Sequence, residues 1–179
     1  MGGDVPAARA RPRRRAHRAR RVRAPARPQA CDEEDTMTSE LSPRLRRVVD
    51  ALPLEPGMRV LEIGGAPGAA AREVAARVGP QGHVLVLDRS DTGIRRARAN
   101  CREEIDAGRL STMCASVEDF ELEPGTPLFD LAFACRVGAL DGRHPQLYAP
   151  ALANIRSALV PDGRLYVDTG SPLTAIQLD

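Results

Sequence analysis

Between residues 60 and 68 the chain reads Val60-Leu61-Glu62-Ile63-Gly64-Gly65-Ala66-Pro67-Gly68, an acid set inside a short apolar run and followed at once by small residues. Small residues at 64, 65, 66 and 68 let a ligand lie directly against backbone, where larger side chains would keep it away. A second apolar run, His83 to Leu87, ends in Asp88, whose carboxylate can accept hydrogen bonds from both hydroxyls of a ribose. After a third brief run comes Ala115-Ser116-Val117-Glu118-Asp119-Phe120, a polar step where a side chain and a backbone amide can hold an adenine. These are the parts of an adenosyl site, and two chemistries could use them. A dinucleotide loop wants glycine at its first, third and sixth positions and a pyrophosphate resting on a helix N-terminus. Here Gly64 is followed by Ala66 and Ala69, so that pattern is degenerate. Glu62 disfavours an anionic pyrophosphate and suits a ligand carrying an ammonium or sulfonium.

The elements that must position these residues follow from periodicity and punctuation. Leu41, Leu45, Val48, Val49 and Leu52 fall on one face of a short helix that can start after Ser42-Pro43 and ends before Pro53. Residues 59–63 form a buried strand between Gly57 and Gly64, and an Ala-rich helix runs to about Val78 before Gly79-Pro80. A second strand covers 83–87. One helix is expected over 91–107, with Ile94, Ala97, Cys101 and Ile105 on a stripe and Gly108 as its stop. Strands are expected at 110–114 and 128–134, a helix carrying Leu147, Leu152, Ile155 and Leu159, a turn at Pro161-Asp162-Gly163, and a last strand over 164–168. Alternating strands and helices, with strands apolar on both faces, predict an α/β fold whose parallel sheet is covered on both sides. Ligands of such sheets sit beyond the carboxyl ends of the strands, where strand order reverses.

Taken in order, these segments resemble class I S-adenosylmethionine-dependent methyltransferases. Residues 60–68 resemble that family's first motif, and 82–99, with Asp88-Arg89-Ser90, its second. Phe129-Asp130-Leu131-Ala132-Phe133 resembles its fourth strand, and Leu159-Val160-Pro161-Asp162-Gly163-Arg164-Leu165 the turn into its fifth. The resemblance spans about residues 41–170 and implies a Rossmann-like sheet of about five strands. It also implies S-adenosyl-L-methionine as cofactor. The cofactor-binding residues it implies are Glu62, Gly64, Gly65, Ala66 and Gly68 at the methionine and ribose moieties, Asp88 with Arg89 at the ribose, Ser116 and Val117 at the adenine, and Cys135 facing the transferred methyl beside Arg136. Methyl transfer from a sulfonium is a direct displacement that asks chiefly for alignment and exclusion of water. No catalytic residue is therefore assigned. His144, in the acceptor-side loop, is either a general base or a surface histidine.

The chain also departs from the family. Ala66 replaces a common glycine, and only 11 residues follow Asp168 where two further strands are usual, so these terminal strands are expected to be missing. The acceptor side is then shallow, absent or completed by a second subunit, as in a homodimer. The Asx-Pro-Pro-aromatic motif is replaced by Ala134-Cys135-Arg136-Val137-Gly138, which argues against methylation of nucleic-acid bases by that route and for a small-molecule acceptor. The competing readings are a non-catalytic S-adenosylmethionine binder and a nucleic-acid methyltransferase that uses a basic tail.

That tail dominates the charge. All 26 basic residues are arginine; residues 1–30 hold ten of them with one acid, and the remainder holds 16 against 23 acids. Residues 1–36 are Arg, Ala and Pro without aromatics, and so are expected to be disordered. They read either as a nucleic-acid arm, though without the aromatics that stack bases, or as a start-site artefact upstream of Met37. The domain is expected over 37–179. Four widely spaced cysteines indicate neither a metal site nor a disulfide framework. Lacking an apolar run of membrane-spanning length, the chain is expected to be soluble and cytoplasmic.

Overall fold

The computed structural model describes residues 41–178. The Arg-rich segment expected to be disordered, together with Cys31 and Met37, lies outside the described residues. Helix α1 (Pro43–Ala51) starts as its sequence requires: the Ser42 Oγ accepts the Leu45 N–H at 3.3 Å and Pro43 occupies the first turn. Then follow β1 (Arg59–Ile63), α2 (Ala69–Val78), β2 (His83–Asp88), α3 (Asp91–Asn100), α4 (Arg102–Asp106), β3 (Leu110–Cys114) and β4 (Phe129–Ala134). A 3₁₀ turn at Pro145–Leu147 leads into α5 (Tyr148–Ala158), β5 (Leu159–Val167) and β6 (Thr174–Ile176). The six strands form one sheet in the order β3-β2-β1-β4-β5-β6, parallel throughout except for β6, which runs antiparallel to β5.

Successive strand residues point to opposite faces, and this divides the core in two. Val60, Val86 and Phe133 pack with Val48 and Val49 of α1, Val74 of α2 and Ile94 of α3. Leu61, Ile63, Leu85, Leu87 and Ala132 pack on the other face with Ala151 and Ile155 of α5. Glu62 is paired in register with Val86 and Phe133, so it shares their phase and points toward the helices of the first face. Among the described residues no helix is long and apolar enough to cross a membrane.

Three expectations are corrected. The helix expected over 91–107 is broken at Cys101, whose φ of −108° and ψ of 24° end α3. There the wholly buried thiol turns in against the first loop, with Sγ 3.5 Å from the Gly68 carbonyl. The last parallel strand starts at Leu159 rather than 164: the Pro161-Asp162-Gly163 turn is an irregularity within β5, which pairs Phe129 with Leu159 and then Leu131 with Arg164. Finally, the sheet does not stop at five strands. The residues after Asp168 turn back and add the short β6 at the edge.

Phe133 fills the middle of the first core with no exposed surface. Phe133→Ala is expected to lower unfolding free energy by about 3–5 kcal/mol, read as a reduced urea midpoint at an unchanged slope.

Candidate functional site

All parallel strands end at one edge of the sheet, and chain order reverses between β1 and β4. The chain leaves β1 to build β2 and β3 on one side and returns to build β4 and β5 on the other. A cavity of about 300 Å³ opens at that switch point. Ile63 and Gly64 form its floor, with Leu87, Asp88 and Arg89 at the end of β2 and Ala115 to Glu118 after β3. Its other wall is Cys135 to Ala139 after β4, with Arg143, His144 and Leu147.

The glycine loop divides its labour. Gly64 has φ +72°, and a Cβ there would stand 2.9 Å from Val137 Cγ2 and 3.3 Å from the Cys135 carbonyl. Its backbone is therefore bare to the cavity, and its N–H donates to the Leu87 carbonyl at 2.8 Å. Gly65 and Gly68 do not line the cavity. A Cβ on Gly65 would meet Glu62 Cδ at 2.5 Å, and one on Gly68 would meet Cys101 Sγ at 2.5 Å. The methyl of Ala66 points at Gly93 of α3, so the departure from the usual glycine costs the cavity nothing.

Asp88 lines the cavity and braces it. Its Oδ2 accepts the Ala66 N–H at 3.3 Å and its Oδ1 accepts the Ser90 N–H at 2.8 Å, leaving lone pairs for a ligand's hydroxyls. The cap of α3 is Ser90, whose Oγ accepts from Gly93 N–H at 3.1 Å. Glu62 is placed differently from its expected role. It is 2% exposed, lies beneath Gly65 and is not among the residues lining the cavity. Burial, and then the nearby Asp88 charge, push its carboxyl up to about 8, while the Ala71 N–H in the first turn of α2 pulls it back. Its Oε2 has no partner among the described residues. The place where a pyrophosphate would meet the α2 N-terminus is thus filled by the protein's own carboxyl group.

Ser116 and Val117 line the cavity as expected positions, with the Ser116 hydroxyl donating to Asp119 at 2.6 Å. Their loop is held from α5, a contact the sequence reading missed: Asn154 Nδ2 donates to the carbonyls of Val117 at 3.2 Å and Glu118 at 2.8 Å. The only trace of it in the sequence is an amide beside the apolar stripe of that helix. Cys135 borders the cavity while its thiol packs in the first core, where burial and then Glu62 push it up to about 11. Missed as well was Asp168, just beyond β5. Its nearly buried carboxylate accepts the Arg136 N–H at 3.0 Å and pairs with Arg44 of α1. Its mark in the sequence is the one that Glu62 and Asp88 carry, an acid at the end of an apolar strand.

The sheet is doubly wound, and its switch point holds a cavity lined by the Gly64 backbone and the Asp88 carboxylate. Residues 60–163 match the family described as "Methyltransferase domain", and the chain belongs to that family. It is 32% identical over 139 residues to the ubiquinone/menaquinone biosynthesis C-methyltransferase UbiE of Bordetella avium, covering 74% of this chain and 51% of that protein. With the same enzyme of Ectopseudomonas mendocina it shares 31% identity over 150 residues, 79% of this chain and 56% of that one. The chain therefore spans about half the length of these curated relatives. Among solved structures, a SAM-dependent methyltransferase from Aquifex aeolicus superposes with a TM-score of 0.56 at 18% identity, covering 74% of this chain and 66% of that one, a likeness of fold.

The buried Glu62 makes stability depend on pH. In the unfolded chain it ionises near its ordinary value of 4.5, while the folded protein keeps the proton to about 8, so the folded state binds more protons and its stability falls as pH rises through that window. Glu62→Gln is expected to gain stability over the parent progressively from pH 4.5 to 8, reaching a few kcal/mol at most, in urea melts run across that range.

Proposed function

We propose that the chain is an S-adenosylmethionine-dependent methyltransferase acting on a small molecule by direct methyl transfer. The observation that carries this reading is the pairing of a bare Gly64 backbone with the Asp88 carboxylate in one cavity, while the first turn of α2 is already occupied by Glu62. A phosphate-free adenosyl ligand suits that arrangement, and a pyrophosphate would face a buried acid instead of free N–H groups. When bound, S-adenosylmethionine supplies an electrophilic methyl group.

The residues of this chain have distinct tasks in that reading. Asp88 would accept the ribose hydroxyls, with Arg89 beside it at the rim. Ser116 and the Val117 backbone, steadied by Asn154, would hold the adenine. Gly64 would let the ligand lie flat on the end of β1 against the wall of Cys135 and Val137. Gly65, Ala66 and Gly68 serve the ligand indirectly, by letting the loop close over Glu62 and Cys101. The half-open wall formed by the loop after β4 receives the acceptor, completed by this chain or by a second subunit. A domain beginning near residue 37, a cytoplasmic location and an acceptor other than nucleic acid go with this reading.

Thermal shift tests it directly. S-adenosylmethionine and S-adenosylhomocysteine are expected to raise the melting temperature and NAD to leave it unchanged, with Asp88→Ala weakening the adenosyl ligands by at least about tenfold. A shift with NADH and none with either adenosyl ligand would overturn the proposal.

A further inference from the structure

The loop after β4 is built to hold one side chain at the mouth of the cavity. Arg136 is the one non-glycine residue with positive φ, at +57°, among the described residues. An L-residue adopts that backbone only when its surroundings impose it, and both of its peptide groups are clamped. Its N–H donates to Asp168 Oδ1 at 3.0 Å, and its carbonyl accepts from Arg143 Nη2 at 2.6 Å. Each clamp is itself anchored. Asp168 pairs with Arg44 of α1, and Arg143 is oriented by Asp141, whose two carboxylate oxygens each lie 2.9 Å from Nε.

The charges around this loop balance in pairs with one remainder. Arg44 is matched by Asp168 and Arg143 by Asp141, whereas the exposed guanidinium of Arg136 has no hydrogen-bond or ion-pair partner among the described residues. The acids that line the cavity, Asp88 and Glu118, come from the opposite wall at the ends of β2 and β3, with Arg89 beside Asp88. The β4 wall therefore presents one unpaired guanidinium on a fixed backbone.

We propose that the methyl acceptor is a small molecule carrying a carboxylate, seated by the Arg136 guanidinium. This rests on the methyltransferase reading above and names its substrate class. A guanidinium fork matches a carboxylate with two parallel hydrogen bonds. On the β4 wall one unpaired guanidinium meets one carboxylate, while Arg89, a further cation lining the cavity, stands beside Asp88 on the opposite wall.

The test is a ¹H–¹⁵N chemical-shift titration of the full chain saturated with S-adenosylhomocysteine, using benzoate and phenylacetate, each against its own primary amide. Carboxylates are expected to bind roughly tenfold more tightly than the amides and to move the Arg136–Gly138 amides. Arg136→Gly, which suits the left-handed backbone, is expected to abolish that preference and Arg136→Lys to retain part of it, whereas a matching loss of S-adenosylhomocysteine affinity in Arg136→Gly would assign the guanidinium to the cofactor's own carboxylate and overturn the proposal. Equal binding of acid and amide by the parent, or a preference that survives Arg136→Gly, would overturn the proposal. Failure of S-adenosylhomocysteine to bind would instead contradict the cofactor reading, and the same carboxylate titration on the free protein would still decide for or against Arg136.

Discussion

The site depends on a carboxyl group buried under its own loop. Strand alternation turns Glu62 toward the helices instead of toward the cavity, and the chain must then fold its glycine loop over that group. Gly65 has no room for a side chain because Glu62 is there, and the first turn of α2 offers it an N–H from Ala71. One residue thus sets the path of the loop and closes the helix end that a phosphate would use. The field it supplies is conditional. With its carboxyl held up to about 8, Glu62 is mostly uncharged at neutral pH until a cation draws near. Asp88 is an acid that lines the cavity itself.

The acids at this end of the sheet have a common habit. Asp88 takes backbone N–H groups from the β1 loop and from the entry to α3, and Asp168 takes one from the β4 loop. Each ties a neighbouring strand's loop to its own, so the rim is braced across the sheet more than along the chain. A rim fixed in that way can keep Arg136 in an unfavourable backbone conformation and hold Gly64 bare. Both are features of a preorganised surface.

Much of the fold was legible because its strands are short apolar runs punctuated by glycine and proline, and because Ser42-Pro43 announces a helix. Where reading failed, the cause lay in contacts between distant segments. The apolar stripe 94, 97, 101, 105 continues unbroken through Cys101, and only the Gly68 carbonyl, far away in sequence, explains the break there. β6 is three residues with no apolar run of its own, made a strand by pairing with β5. The same holds at the site. Gly64, Gly65 and Gly68 are indistinguishable as letters, yet only the direction of the missing Cβ separates the residue that meets the cavity from the two that meet Glu62 and Cys101. Glu62 was legible as a special acid but its direction was not, because a one-residue phase decides which face of the strand it occupies. Asn154, Asp168 and Arg143 act through hydrogen bonds to backbone, which leave almost no mark in composition.

The central claim is that an adenosyl ligand lies on the bare backbone at the end of β1. A backbone amide map during titration with S-adenosylhomocysteine measures this most directly. The account predicts that the signals of Gly64, Asp88, Arg89 and Val117 move together with one saturation curve, while Gly79 and Gly108, at the opposite edge of the sheet, stay in place. Saturable shifts confined to other residues, with Gly64 and Asp88 unmoved, would contradict it.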